Sequence, residues 1–189
     1  VEKLSDLRGL VEPFYVSPSY DASLLFFRGE REGIRENLDR LRSALREAGD
    51  DITHLKLQKL IYYAQAWHLA MQGRPLFGNR IEAWAHGPVC REVYSRFRHH
   101  SWNPIPAGAA PTHPEELDEG IRDFLEEVWE VYGQYSAAKL EHMTHEEAPW
   151  LAARAGAAPG SPGQEPIGED LMRDHYGMRM QARKRIREK

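Results

Sequence analysis

Residues 55–72, LKLQKLIYYAQAWHLAMQ, are apolar or aromatic on nearly every side of a helix, and no other stretch constrains the fold as much. Leu57, Leu60, Ile61, Ala64, Trp67, His68 and Met71 fall on one helical stripe. Leu55, Tyr62, Tyr63, Ala66, Leu69 and Ala70 cover most of the remaining circumference, and the clearest polar line is Gln58, Gln65 and Gln72, with Lys56 and Lys59 beside it. A helix that is hydrophobic almost all round has to be surrounded by its own protein. The chain is therefore read as mainly α: a compact multi-helix domain around a central buried helix, 55–72. Asp50 to Thr53 supply N-cap candidates, and Gly73-Arg-Pro75 stops the helix.

A chain of 189 residues has room for one domain with appendages and can bury a core without disulfides or metals. Its single cysteine, Cys90, excludes an intrachain disulfide and fits a reducing compartment, so a cytoplasmic location is expected. No run approaches the roughly 18 apolar residues of a membrane span, and no basic-then-apolar leader opens the sequence. The net charge of −4 argues against a dedicated nucleic-acid binder. Its distribution is uneven, strongly acidic over Glu115 to Glu130 and strongly basic over Arg179 to Lys189.

Around the central helix the chain divides into an N-terminal arm (1–32), a helical domain (33–176) and a basic tail (177–189). The arm holds two proline-broken apolar runs, Pro13 to Pro18 and Leu24 to Phe27. Ile34, Leu38, Leu41 and Leu45 then mark a helix. Ile81 to Ala85 alternate like a strand, which suggests one short β-hairpin near 81–86. Gly87-Pro88 reads as a turn with Pro88 at the first position of the next helix, and Val89, Val93 and Phe97 form that helix's inner face, joined by Cys90 and Tyr94. Residues 101–114 hold four prolines and read as loop, with Asn103 to Pro106 a candidate to pair with the first strand. From Pro114 a long helix carries Leu117, Ile121, Phe124, Leu125, Val128, Tyr132 and Tyr135 inward and an acidic face outward. Ser136 caps a shorter helix, and Thr144 and Glu147 have the spacing of a capping box. A linker (155–168) and an amphipathic piece (167–176) precede the tail.

Few residues suggest chemistry. His142 and His145 share a helix face with Glu146 and Glu147 nearby, but the spacing departs from that of metalloproteases, so a metal-dependent hydrolase is a distant alternative. His86 and Cys90 lack an orienting third group. Neither a phosphate loop nor a nucleophile elbow is present in the sequence. No enzyme activity, cofactor or metal is expected. Lys56 and Lys59 interrupt the apolar helix, either snorkelling or pairing with a buried carboxylate such as Glu82. Trp84, Tyr94 and Trp102 lie near the glycine–proline turn and the proline-rich loop, where exposed aromatics would serve as binding anchors.

Leu57-Gln-Lys-Leu-Ile-Tyr-Tyr-Ala64 with Trp67-His68, then Glu82-Ala-Trp84, Gly87-Pro-Val89 and Glu92-Val-Tyr94, resemble the Panacea domain, the SocA-like antitoxin family that includes phage-associated GepA-type proteins. Tyr132-Gly133, Tyr135-Ser-Ala137, Thr144-His145 and Pro149-Trp150 follow in the family's order. The resemblance implies a mostly helical, cytoplasmic bacterial or phage protein. Such a protein binds and inhibits a cognate toxin encoded nearby, without catalysis of its own. One family member instead delivers its toxin to a protease, which makes a protease the alternative partner; a homodimer stays open, and neither nucleic acid nor a membrane is an expected partner. The motif residues Leu57, Lys59, Leu60, Tyr62, Tyr63, Trp67, Glu82, Gly87, Pro88, His145 and Trp150 are expected to be structural. Two faces are candidates for the partner: Trp84, Tyr94 and Trp102 with the arm's Phe14, Tyr15 and Phe26, and the acidic helix face of Glu116, Glu119, Asp123 and Glu127.

Overall fold

The computed structural model describes residues 52–106, 119–158 and 160–187. The arm and the helix expected from Gly33, with Phe14, Tyr15 and Phe26, lie outside the described residues, as does Glu116. Helix α1 (His54–Gln72) is followed by strands β1 (Ile81–Trp84) and β2 (Gly87–Cys90) and helix α2 (Arg91–Phe97). After a short 3-10 turn at Arg98–His100 come α3 (Glu119–Tyr132), α4 (Ala137–His145), α5 (Ala148–Ala153) and α6 (Glu169–Arg187). The fold is mostly helical, with one two-stranded antiparallel hairpin among the described residues.

Helix α1 is the centre. Every residue from Leu55 to Leu69 is buried, and α6, β2, α4, α3 and α2 all pack on it. Thr53, in extended conformation, starts the helix by accepting a hydrogen bond from the Lys56 amide at 3.3 Å. Gly73 ends it at φ 69°, its amide bonding Leu69 O at 3.0 Å. Of the polar line Gln58, Gln65 and Gln72, the first two are buried. Gln65 donates to Phe77 O and accepts from the Leu76 and Phe77 amides, which pins the loop after the helix. Gln58 donates to Cys90 O and accepts from Cys90 N, holding the end of β2. Each amide matches a backbone segment that lacks a ladder partner, so these polar groups are buried with their bonds made.

Several local expectations change in three dimensions. Pro88 does not open a helix: it sits in β2 opposite Ala83, and α2 begins at Arg91. Val89 and Cys90 are accordingly strand residues, and α2 buries Val93 and Phe97 alone. Pro104 bridges Thr53, and the Ile105 amide bonds Ile52 O, so the proline-rich loop pairs with the entry to α1 rather than with the first strand. The strand edge it was expected to take belongs to the linker, where the Ala83 amide bonds Glu165 O and Ile167 N bonds Ile81 O. Helix α3 ends at Tyr132, three residues short of Tyr135. Helix α6 runs unbroken across Gly177, joining the amphipathic piece to most of the basic segment.

Lys59 does not snorkel and does not meet Glu82. It is fully buried, donating to Pro88 O at 3.1 Å, while Glu82 accepts two bonds from Arg91 and one from Trp84 Nε1. Lys56 is also inside, bonded to Gly133 O at 2.7 Å and lying over the Trp129 ring. Burial lowers the Lys59 amine to about pKa 7, with Glu141 opposing the shift. The unfolded chain holds that proton to about pH 10.5, so this residue makes stability rise with pH between the two values. Above that window the buried hydroxyls of Tyr62, Tyr63, Tyr132 and Tyr176, all raised by burial, reverse the trend. Urea unfolding of the wild type should therefore gain roughly 2 kcal/mol more between about pH 7.5 and about pH 9.5 than Lys59→Met gains. Equal gains in the two proteins would show that Lys59 is charged in the fold.

Candidate functional site

The second packing centre lies where α1, α5 and α6 meet. Glu147 precedes α5 and makes no cap hydrogen bond with its side chain. The expected capping box does not form, because Thr144 donates instead to Glu141 O at 2.8 Å and Glu147 turns into the core. There its carboxylate accepts from Tyr62 Oη at 2.9 Å, Tyr176 Oη at 2.7 Å and Arg179 Nη1 at 3.2 Å. Burial raises the carboxyl's pKa, against the opposing pull of Tyr176, Arg179 and Tyr62. Tyr63 stacks on Tyr132 at 3.8 Å, and Trp67 Nε1 donates to the Tyr132 hydroxyl at 2.7 Å. These tyrosines and Trp67 are fully buried, as are Leu57 and Leu60, so this part of the motif forms the core.

Trp84, Tyr94 and Trp102 meet elsewhere. They line an open groove of about 440 Å³ between the first turn of α1, the hairpin turn, α2 with its 3-10 extension, and residues 160–164. Trp84 and Tyr94 lie 4.7 Å apart, tilted by 59°. His54 sits edge-on to Tyr94 at 5.9 Å and lies 6.5 Å from Trp102, whose other neighbour is His86 at 6.2 Å. Trp102 is 67% exposed, the largest exposure of any big apolar side chain described. Ser101, just before it, has φ 52°, a positive value that costs a non-glycine residue energy, and lines the groove as well. Behind the groove, Trp150 Nε1 donates to Trp84 O, fixing the hairpin from α5.

The other candidates are dispersed. Asp123 and Glu127 are on α3, Asp123 exposed and Glu127 half-buried, and neither lines the groove; Glu119 is the first residue of that helix. His142 pairs with Glu146 on the exposed side of α4, whereas His145 stacks on Trp150 at 4.1 Å. The Nε2 of His145 is buried without a hydrogen-bond partner. His86 bonds Glu141 and not Cys90, and burial pushes the Cys90 thiol up to about pKa 12. A thiol that stays protonated is a poor nucleophile. Among the described residues no group of three or more His, Cys, Asp or Glu side chains is placed to hold a metal. No described helix is long and apolar enough to cross a membrane.

Sequence reasoning missed Tyr176 and Arg179 as members of the buried cluster, and His54 and Arg98 as groove residues. Arg98 and His54 lie in polar-looking stretches whose partners are remote in sequence. Tyr176 spaced one turn from Met172 was the available signal for an inward face of α6.

The described residues form a small, mostly helical domain with an open aromatic groove. The chain belongs to the family described as "Antitoxin SocA-like, Panacea domain", which it matches over residues 57–151. It is similar to the "Antitoxin SocA" of Caulobacter vibrioides (strain NA1000 / CB15N), with 33% identity over 109 residues. The match spans 52% of this chain and 58% of that relative. No solved structure was found to match the chain.

Proposed function

We propose that this protein is an antitoxin that neutralises a cognate toxin by direct binding, and that the aromatic groove is the face it uses. The observation that carries the reading is the convergence of Trp84, Tyr94 and two-thirds-exposed Trp102 on one open groove. Large aromatics dominate binding hot spots because they bury much area at low entropic cost, and an exposed apolar cluster rimmed by polar residues is the usual mark of an interaction site. Family membership supplies the kind of partner. The reading needs no chemistry from the protein, since a stable complex burying about 800 Å² per partner is enough to cover a toxin's substrate entry.

A growth assay tests it. Expressed with the product of its neighbouring reading frame, the wild type should restore growth and Trp102→Ala should not, at equal soluble level. Trp102 is mostly exposed, so its removal leaves the core intact. Full rescue by Trp102→Ala would exclude the groove. Rescue accompanied by disappearance of the neighbour's protein, with no complex, would replace direct inhibition by delivery to a protease.

A further inference from the structure

The groove is lined by more than apolar surface. Two indoles, a phenol ring and the imidazoles of His54 and His86 line one cavity together with Arg98. Among the described residues no carboxylate lines it and none pairs with Arg98. A site of this kind favours a ligand that is planar and negatively charged.

We infer that the groove binds a nucleotide, with its base against the Trp102, Trp84 and Tyr94 rings and its phosphate toward Arg98. Bases stack on aromatic side chains whatever their identity, and guanidinium groups match phosphate oxygens in shape and charge. The volume of about 440 Å³ is that of a small-ligand site. An extended peptide is the weaker occupant, because neighbouring strand edges are already taken. Glu165 to Ile167 occupy the outer edge of β1, and Gln58 and Lys59 satisfy the outer edge of β2. This inference goes beyond toxin binding and concerns the isolated chain, so either can fail alone. Where both hold, a nucleotide covering Trp102 competes with the toxin for it.

Calorimetric titration of the purified chain with ATP, adenosine, inorganic phosphate and a short single-stranded oligonucleotide is the test. ATP should saturate one site with a Kd below about 1 mM, adenosine should bind more weakly, and phosphate alone should not saturate. Trp102→Ala should weaken ATP about tenfold or more, and Arg98→Ala should weaken ATP by about tenfold while changing adenosine less than about twofold. Both residues are exposed, so circular dichroism should be unchanged in each variant. Failure of ATP to saturate, or equal ATP affinity in wild type and both variants, would overturn the inference. An oligonucleotide binding tighter than ATP with the same dependence on Trp102 would overturn it too, in favour of a nucleic-acid strand.

Discussion

Glu147→Ala is expected to lower unfolding free energy by about 3 kcal/mol, because breaking a buried network leaves its remaining members without partners. Two of those members cannot escape. The hydroxyls of Tyr62 and Tyr176 are fully buried and donate to the same carboxylate oxygen, Glu147 Oε2. Arg179 is the exception: its side chain is 31% exposed and can turn to water, which keeps the cost below that of a wholly buried charge. Alanine adds a cavity between α1 and α6, the helix pair with the most extensive contact in the fold. Glu147→Gln keeps the volume and one carbonyl acceptor, so its loss should be clearly smaller. Urea unfolding followed by tryptophan fluorescence measures both. A loss under about 1 kcal/mol for alanine would mean that the cluster is not a stabilising contact.

Gly87→Ala should cost a similar amount, about 3 kcal/mol, for two separable reasons. Gly87 has φ 91°, which an L-residue adopts only with strain. A Cβ there would also stand 2.7 Å from Lys59 Nζ and 2.8 Å from Thr144 Oγ1. A lysine terminus is normally free to swing aside, but Lys59 is fully buried and its bond to Pro88 O would be lost. Gly73 separates the two effects: it too has a positive φ, 69°, yet nothing lies within 4 Å of its would-be Cβ. Gly73→Ala therefore reports the conformational part alone, about 1 kcal/mol. Equal losses for the two variants would show that the Lys59 contact is not confining. A larger loss at Gly87 ties the hairpin turn to α1 and α4 through the side chains of Lys59 and Thr144 that crowd it.

These two positions also show what a sequence can and cannot disclose. The central helix was legible from end to end, since Leu55 to Gln72 had no face polar enough for water and carried a capping threonine and a stop glycine. The burial of Lys56, Lys59, Gln58 and Gln65 was not legible. Each is satisfied by a backbone group brought from elsewhere in the chain, such as Pro88 O for Lys59 and Gly133 O for Lys56, and composition alone reads such residues as surface. Glu147 misled for a related reason. Its spacing from Thr144 fits a local capping pattern, but tyrosines from α1 and α6 compete for the carboxylate and win. Pro88 was placed one element late because a glycine–proline pair marks both hairpin strands and helix starts. Of the candidate binding residues, Trp84, Tyr94 and Trp102 come together because the hairpin and the turn after α2 both border the first turn of α1. Arg98 and His54 complete the groove from positions with no aromatic signal of their own.

The most direct test of the antitoxin reading is the affinity of the purified chain for the product of its neighbouring reading frame, compared between wild type and Trp102→Ala. Direct neutralisation through the groove predicts a stable complex for the wild type and a Kd at least about 30-fold weaker for the variant, the loss of one hot-spot residue. A wild-type complex whose affinity is unchanged by Trp102→Ala would contradict the groove as the binding face, and no measurable complex at all would contradict direct neutralisation.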